Sequence, residues 1–168
     1  MKRVFFTIPW LGVALYRSDI GRGLDVYMRR WVLRTPLGML RVHNILRADT
    51  DSAWHDHPTW LLSAVLHGGY VEEVPWVVYR CGRETRRAEV QQAHARLGGY
   101  RGKTLRVHDV HYHLAPTVYR IPANRFHRIS WVAPNTWTLV VMGPVKDPTW
   151  GFLDAHGQYT PFEEHEAL

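Results

Sequence analysis

The chain has a single cysteine, Cys81, so it can form no internal disulfide. That excludes a disulfide-stapled scaffold and favours a reducing compartment, with Cys81 read as an incidental thiol rather than a reactive one. No apolar stretch approaches the ~20 residues that a membrane helix needs. The opening MKRVFFTIPWLGVALYRSD places two basic residues before an apolar run, as a signal peptide would. Pro9 interrupts that run, and no small-x-small cleavage site follows. The segment reads as a first strand with its turn, and the expected location is cytoplasmic. There is also no internal repeat, phosphate loop, dinucleotide glycine fingerprint or G-x-S-x-G nucleophile elbow.

Lysine is scarce beside arginine, and the net charge is +6. A basic balance raises the question of a nucleic-acid partner. The arginines, however, are scattered from Arg3 to Arg128, and the densest group (Arg80, Arg83, Arg86, Arg87) sits beside Glu84 and Glu89. A solvated face is the favoured reading. Neither a specific nucleic-acid partner nor a membrane is expected.

What the chain does have is aromatic bulk: eight Trp, eight Tyr and five Phe in 168 residues, enough for a thick core or an aromatic-lined cavity. Short runs rich in Val, Leu, Tyr and Trp are punctuated by Gly, Pro, Asn and Asp, the pattern of an all-β domain. The clearest strands are Val26–Leu33, Met39–Leu46, Trp60–His67, Tyr70–Tyr79, Thr117–Ile121 and Thr136–Met142. Thr35-Pro36-Leu37-Gly38 and Pro134-Asn135 read as turns, and Gly68-Gly69 as a two-residue hairpin loop. The segment Glu84–Leu97 is rich in helix formers and stops at Gly98-Gly99, which predicts a short inserted helix with a glycine C-cap. One domain, 1–168, is expected, with its core at about 25–152 and the inserted helical segment at about 84–97.

The most informative string is Trp54-His55-Asp56-His57-Pro58. Histidines at i and i+2 of an extended segment point to the same face, so both imidazoles can reach one ion at ~2.0–2.2 Å. Such a pair is weak evidence alone, since eleven histidines make chance pairs common; His111-Tyr112-His113 is another. Downstream lie Gly68 and Gly69, and then Pro122-Ala123-Asn124-Arg125-Phe126-His127.

Together these strings resemble the two motifs of the cupin superfamily: HxH, a glutamate and a glycine, then Pro-x-Gly-x-x-His. The resemblance spans roughly residues 40–145. The strings HDHP, LHGGY, FHRI, WTLVVMGP and WGF are similar to a group of bacterial and phage cupin-like proteins. It implies a single cupin-type, jelly-roll-like β-barrel holding one divalent metal through His55, His57 and His127, with Pro122 and Gly68 at turn positions. Leu61 stands where the family has its ligating glutamate, Asn124 replaces a glycine, and Trp131 replaces an asparagine. Asn124 suits its place because Asn also accepts left-handed geometry. Glu72 is the nearest acid downstream. Hairpin register through Gly68-Gly69 would put it ~13 Å from the Leu61 level, so it reads as a surface acid beside Glu73, with a fourth metal ligand as the alternative.

Three neutral imidazoles leave positions open for substrate. They suit Fe(II), which the likeness to three-histidine thiol dioxygenases favours, with Zn, Ni, Mn or Cu as alternatives. The expected function is a small metalloenzyme on a small polar substrate, dioxygenase-like. An isomerase, epimerase or lyase, or a non-catalytic metabolite-binding module, are the alternatives. Family analogy leaves a homodimer open.

Four further residues are candidates for catalysis. His111 and His113 either line the mouth as acid–base groups or sit in an exposed loop, the favoured reading. Along Met39–Leu46 and its exit, Arg41, His43, Ile45 and Arg47 share one face, and Leu40, Val42, Asn44 and Leu46 the other. The usual burial of Leu and Val favours the second face inward. The opposite arrangement would put His43 and Arg47 beside the metal and favour an anionic ligand.

Overall fold

The computed structural model describes residues 2–22, 25–49, 53–81, 84–103, 105–145 and 149–165. The described strands are β1 (Lys2–Ile8), β2 (Val13–Arg22), β3 (Asp25–Thr35), β4 (Gly38–Ile45), β5 (Trp54–His55), β6 (Leu61–His67), β7 (Gly69–Cys81), β8 (Glu84–Glu89), β9 (Leu105–Leu114), β10 (Thr117–Ile121), β11 (Arg128–Val132), β12 (Thr136–Met142), β13 (Gly151–Leu153) and β14 (Tyr159–Pro161). The helices are α1 (Gln92–Arg96) and α2 (Phe162–His165). The fold is all-β and antiparallel with a short inserted helix, as expected. Among the described residues, no helix is long and apolar enough to cross a membrane.

Seven strands form one sheet in the order β1-β2-β3-β4-β12-β6-β10. A second sheet is β11-β7-β8, with β9 also paired to β7, and a third small one is β14-β13-β5. A cluster of Ile45, Val65, Tyr70 and Ile129 joins the first two sheets across a shared interior. A second cluster, including Trp54, Val77, Ala95, Phe126 and Leu153, packs α1 and the small sheet against the second sheet. Tucking these apolar side chains away from water is the main force holding the layers together.

The chain changes sheet at Gly68. Its φ of +70° suits glycine, and a Cβ there would stand 2.5 Å from the Thr136 hydroxyl oxygen. That hydroxyl accepts a hydrogen bond from the Gly69 N–H at 3.0 Å. The corner is therefore a sharp turn between layers and not the two-residue hairpin that Gly68-Gly69 suggested. Val65 pairs with Thr138 and Thr117, while Glu72 pairs with His111 and Ile129. Asn135, at φ +57°, does form its expected turn.

Two further expectations need correction. Of the segment read as one helix, Glu84–Glu89 is strand, laid along Trp76–Cys81, and only Gln92–Arg96 is helical. Pairing to the exposed edge of β7 overrides a weak helix propensity. Gly98 does end the helix in left-handed geometry, at φ +71°. Arg83 and the side chains of Arg80, Cys81, Glu84 and Arg86 lie outside the described residues.

The second correction is the inward face of β4. Arg41 lies between Val32 and Val140, and His43 between Arg30 and Thr138. Directly opposed residues share a face. Val32, Val140 and Thr138 are all buried, so Arg41, His43 and Ile45 point inward. Leu40 and Leu46 are 40% and 42% exposed on the outer side.

Candidate metal centre

His55 and His57 come from β5 and its exit, and His127 from the segment before β11. Their convergence is a backbone matter. His55 and His127 form an isolated antiparallel bridge, each N–H donating to the other's carbonyl at 2.9 Å. The Asn124 N–H donates to the His57 carbonyl, and Asn124 takes the left-handed conformation (φ +66°) that its motif position requires. Two chain segments far apart in sequence are thus zipped so that three rings share one side.

One nitrogen from each ring lies within 4.8 Å of the others. The Nε2 atoms of His57 and His127 are 2.8 Å apart. Asp56, between the two histidines, faces the opposite way and is fully buried. It accepts hydrogen bonds from the Gly151 N–H at 2.7 Å and from the Gln92 side chain, tying α1 and β13 to the histidine strand.

Glu72 is the residue that sequence reasoning misplaced. It is 2% exposed, not a surface acid. Its Oε1 accepts from His127 Nδ1 at 2.6 Å and its Oε2 from His113 Nε2 at 2.7 Å. Burial alone would raise its pKa, but the hydrogen bonds from His113 and His127 hold it well below the carboxylate range. A carboxylate can only accept, so His127 Nδ1 carries a proton and its Nε2 is the nitrogen turned to the other histidines. The missed signal was alternation: Tyr70, Glu72 and Val74 share a face of β7, and both neighbours are buried.

His113 is likewise no loop residue. It lies on β9, buried against Tyr119, with ring centroids 3.6 Å apart. His111, also on β9, is half-buried and meets a guanidinium nitrogen of Arg125 at 3.2 Å. His43 is inward, and its Nε2 is buried without a partner. Arg47 turns away from the interior face that its alternation assigned; it ion-pairs with Asp25 at 2.7 Å on the exposed side. Leu61 packs with Ile121, Val140 and Met142 in an apolar cluster. The acidic group attached to the histidines therefore comes from the opposite sheet, through His127 rather than at the motif position.

His55, His57 and His43 are held neutral. Burial, then the neighbouring His127, lowers His55 to about 4. Burial, followed by His127, His55 and Arg41, puts His57 well below its usual value. Burial and two arginines lower His43 to about 3. Neutral imidazole is the form that binds metals.

These shifts fix a pH dependence. In the unfolded chain each histidine titrates at about 6.5. The folded state resists protonation until near the lowered values, so acid favours the unfolded state from about pH 6.5 downward. Glu72 has the opposite character but the same consequence: its stabilisation exists above about pH 4.3 and is lost on further acidification. The melting temperature of metal-free protein should therefore fall between pH 6.5 and 4 and steepen below 4.3. Calorimetry at constant ionic strength would measure this, and a flat profile across pH 6.5–4 would contradict the buried-histidine assignment.

No protein-family model matches the chain, and no curated protein matches it. Among solved structures, it is similar to an Fe(II) form of HppE with the alternative substrate (S)-1-HPP, at 14% identity and TM-score 0.43, over 77% of this chain and 55% of that one. It is also similar to hydroxypropylphosphonic acid epoxidase from S. wedmorenis in complex with fosfomycin, at 15% identity and TM-score 0.39, over 76% and 55%. The chain spans a little over half the length of these structures.

Proposed function

We propose that this chain is a mononuclear, cupin-like metalloenzyme acting on a small polar substrate, with His55, His57 and His127 as the metal-holding residues and Fe(II) as the favoured ion. The observation that carries this reading is the pair of Nε2 atoms 2.8 Å apart, one belonging to a ring whose other nitrogen is locked by Glu72. A carboxylate–histidine pair of this kind fixes the tautomer and raises the basicity of a metal ligand. The donor set therefore fits a divalent ion of the Fe, Ni, Cu or Zn type.

A bound ion would supply a Lewis acid or redox centre with positions left for substrate. The chain's own residues hold the geometry. Glu72 orients His127, His113 holds Glu72 from behind, and Asp49, bonded to the Ile129 N–H at 2.9 Å, sets its carboxylate 3.9 Å from His55 Nδ1. Partial exposure of His55 and His57 leaves a way in from solvent.

The test is anaerobic titration of untagged, metal-free protein with Fe(II), Co(II) and Zn(II), followed by oxygen uptake with a panel of small polar compounds. One ion per chain is expected, with Fe(II)-dependent uptake on at least one compound. Absence of stoichiometric binding by all three ions would overturn the reading. Stoichiometric binding with no uptake would remove the oxygenase part and leave a non-oxidative enzyme or a binding module.

A further inference from the structure

Two neighbouring turns end the large sheet in exposed apolar side chains. One, Pro9–Leu11, joins β1 to β2, and the other, Pro36-Leu37, joins β3 to β4. Strands β2 and β3 are paired, and a Cβ on Gly12 would stand 3.3 Å from Pro36 Cγ, so the two turns touch. Trp10 is 85% exposed, Leu37 is 87% exposed, and Leu11 stands out beside Trp10. Trp60 continues this edge: the Gly143 N–H donates to its carbonyl at 3.3 Å, and Gly143 follows Met142, which pairs with Met39. Turns ordinarily carry small or polar residues, and these carry large apolar ones.

The apolar surface runs on from the tip over the outer face of the sheet. Phe6, Leu15, Leu33, Leu40, Val141 and Leu62 form one cross-strand row, and Arg120 ends it. Phe6, Leu40, Leu62 and Val141 are all exposed. The second sheet packs against the other face, through Ile45 and Val65. A continuous exposed apolar patch edged by charge marks an interaction surface.

The arginines look scattered along the sequence, but strand register gathers them. The seven strands hold nine Lys and Arg against two Asp, a net +7, while the whole chain is +6. Both acids, Asp19 and Asp25, lie toward the end of the sheet away from the tip, bound by Arg17 at 2.9 Å and Arg47 at 2.7 Å. The segments that build the tip and the outer row, residues 1–18, 26–48, 57–71 and 110–146, contain no Asp or Glu. Arg34 is two residues from Pro36, and Arg120 pairs with Leu62, two residues from Trp60; both are exposed.

We infer that this end of the large sheet docks on an anionic phospholipid surface, with Trp10, Leu11 and Leu37 in the boundary between headgroups and acyl chains and Arg34 and Arg120 at the phosphates. Apolar side chains set beside basic ones are what hold a peripheral protein to such a surface, and tryptophan suits the boundary because its ring is amphipathic. A second copy of the chain is the poorer occupant. It would set arginine against arginine, and the strands and turns that build the tip supply no acid in return. A nucleic acid would satisfy the arginines and leave the apolar tip in water. The inference stands apart from the metal centre.

The test is co-sedimentation of the full chain with vesicles of phosphatidylcholine alone and of equal parts phosphatidylcholine and phosphatidylserine. Binding to the anionic vesicles is expected, at least about tenfold tighter than to phosphatidylcholine. Trp10→Ser and Leu37→Ser should each weaken it by at least about tenfold, and Arg120→Gln by about fivefold. Side chains this exposed leave the core untouched, so the variants should melt with the wild type; if one melts lower, the other two carry the comparison. Absence of binding to the anionic vesicles would overturn the inference, as would undiminished binding by both serine variants or equal binding to phosphatidylcholine alone. So would a lipid-free dimer in sedimentation velocity that Leu62→Lys converts to monomer, because a second copy would then cover this face.

Discussion

His57→Ala is expected to fold normally and to lose more than ~100-fold in metal affinity. The second-sphere partners of a metal ligand are worth 10–100-fold, and a ligand itself is worth more. His57 is the cleanest of the three positions for this experiment. His127 also anchors the buried Glu72, and His55 sits 3.9 Å from the half-buried Asp49, so truncating either leaves a carboxylate short of a partner. His57 is only partly buried, and its ring contacts are with the other two histidines. Competition of the purified variant against a chromogenic chelator measures the change, and circular dichroism checks the fold. Retention of wild-type affinity would mean that the ion, if bound, sits elsewhere.

The second large effect is expected at Glu72, and two substitutions separate its roles. Glu72→Ala strips hydrogen bonds from two buried histidines at once. A buried donor left without its partner costs about 1–3 kcal/mol, and two are left here, so a loss of about 3 kcal/mol is expected in urea denaturation of the metal-free protein. Glu72→Gln keeps the shape and one acceptor oxygen, so it should retain most of the stability. It removes the charge that fixes His127, and metal affinity should fall by 10–100-fold. A merely structural Glu72 would give the reverse for Gln, with stability lost and metal binding kept.

The convergence of the three histidines was legible in the sequence as far as local geometry determines it. His55 and His57 are paired by the two-residue period of extended chain, and His127 joins them because the turn at Asn124 accepts the left-handed conformation. The boundaries of β10 and β12 coincide with their apolar runs for the same local reason. Glu72 was not legible. Its position follows from which sheet β7 joins, and that choice is made at Gly68 by contact with Thr136, 68 residues further on. Counting along an assumed hairpin put Glu72 on the wrong layer. The inward face of β4 was hidden for a related reason. A composition rule buries Leu and Val and exposes Arg, but the neighbours of Arg41 on both sides are buried, and register decides the matter. The strand β8 was obscured because alanine and arginine favour helix when nothing pairs with them, and here β7 does.

The bridge between His55 and His127 has a meaning for folding as well as for chemistry. His57 and His127 are 70 positions apart, and they meet only when the segment before β11 has docked on β5. An unfolded chain holds those rings apart, so a metal would bind the native state alone. Binding and folding are then thermodynamically linked: at free metal 100-fold above its dissociation constant, the native state gains ~2.7 kcal/mol. The ion would act as a removable cross-link between distant parts of the chain, and withdrawing it with a chelator would return that stabilisation to the unfolded ensemble.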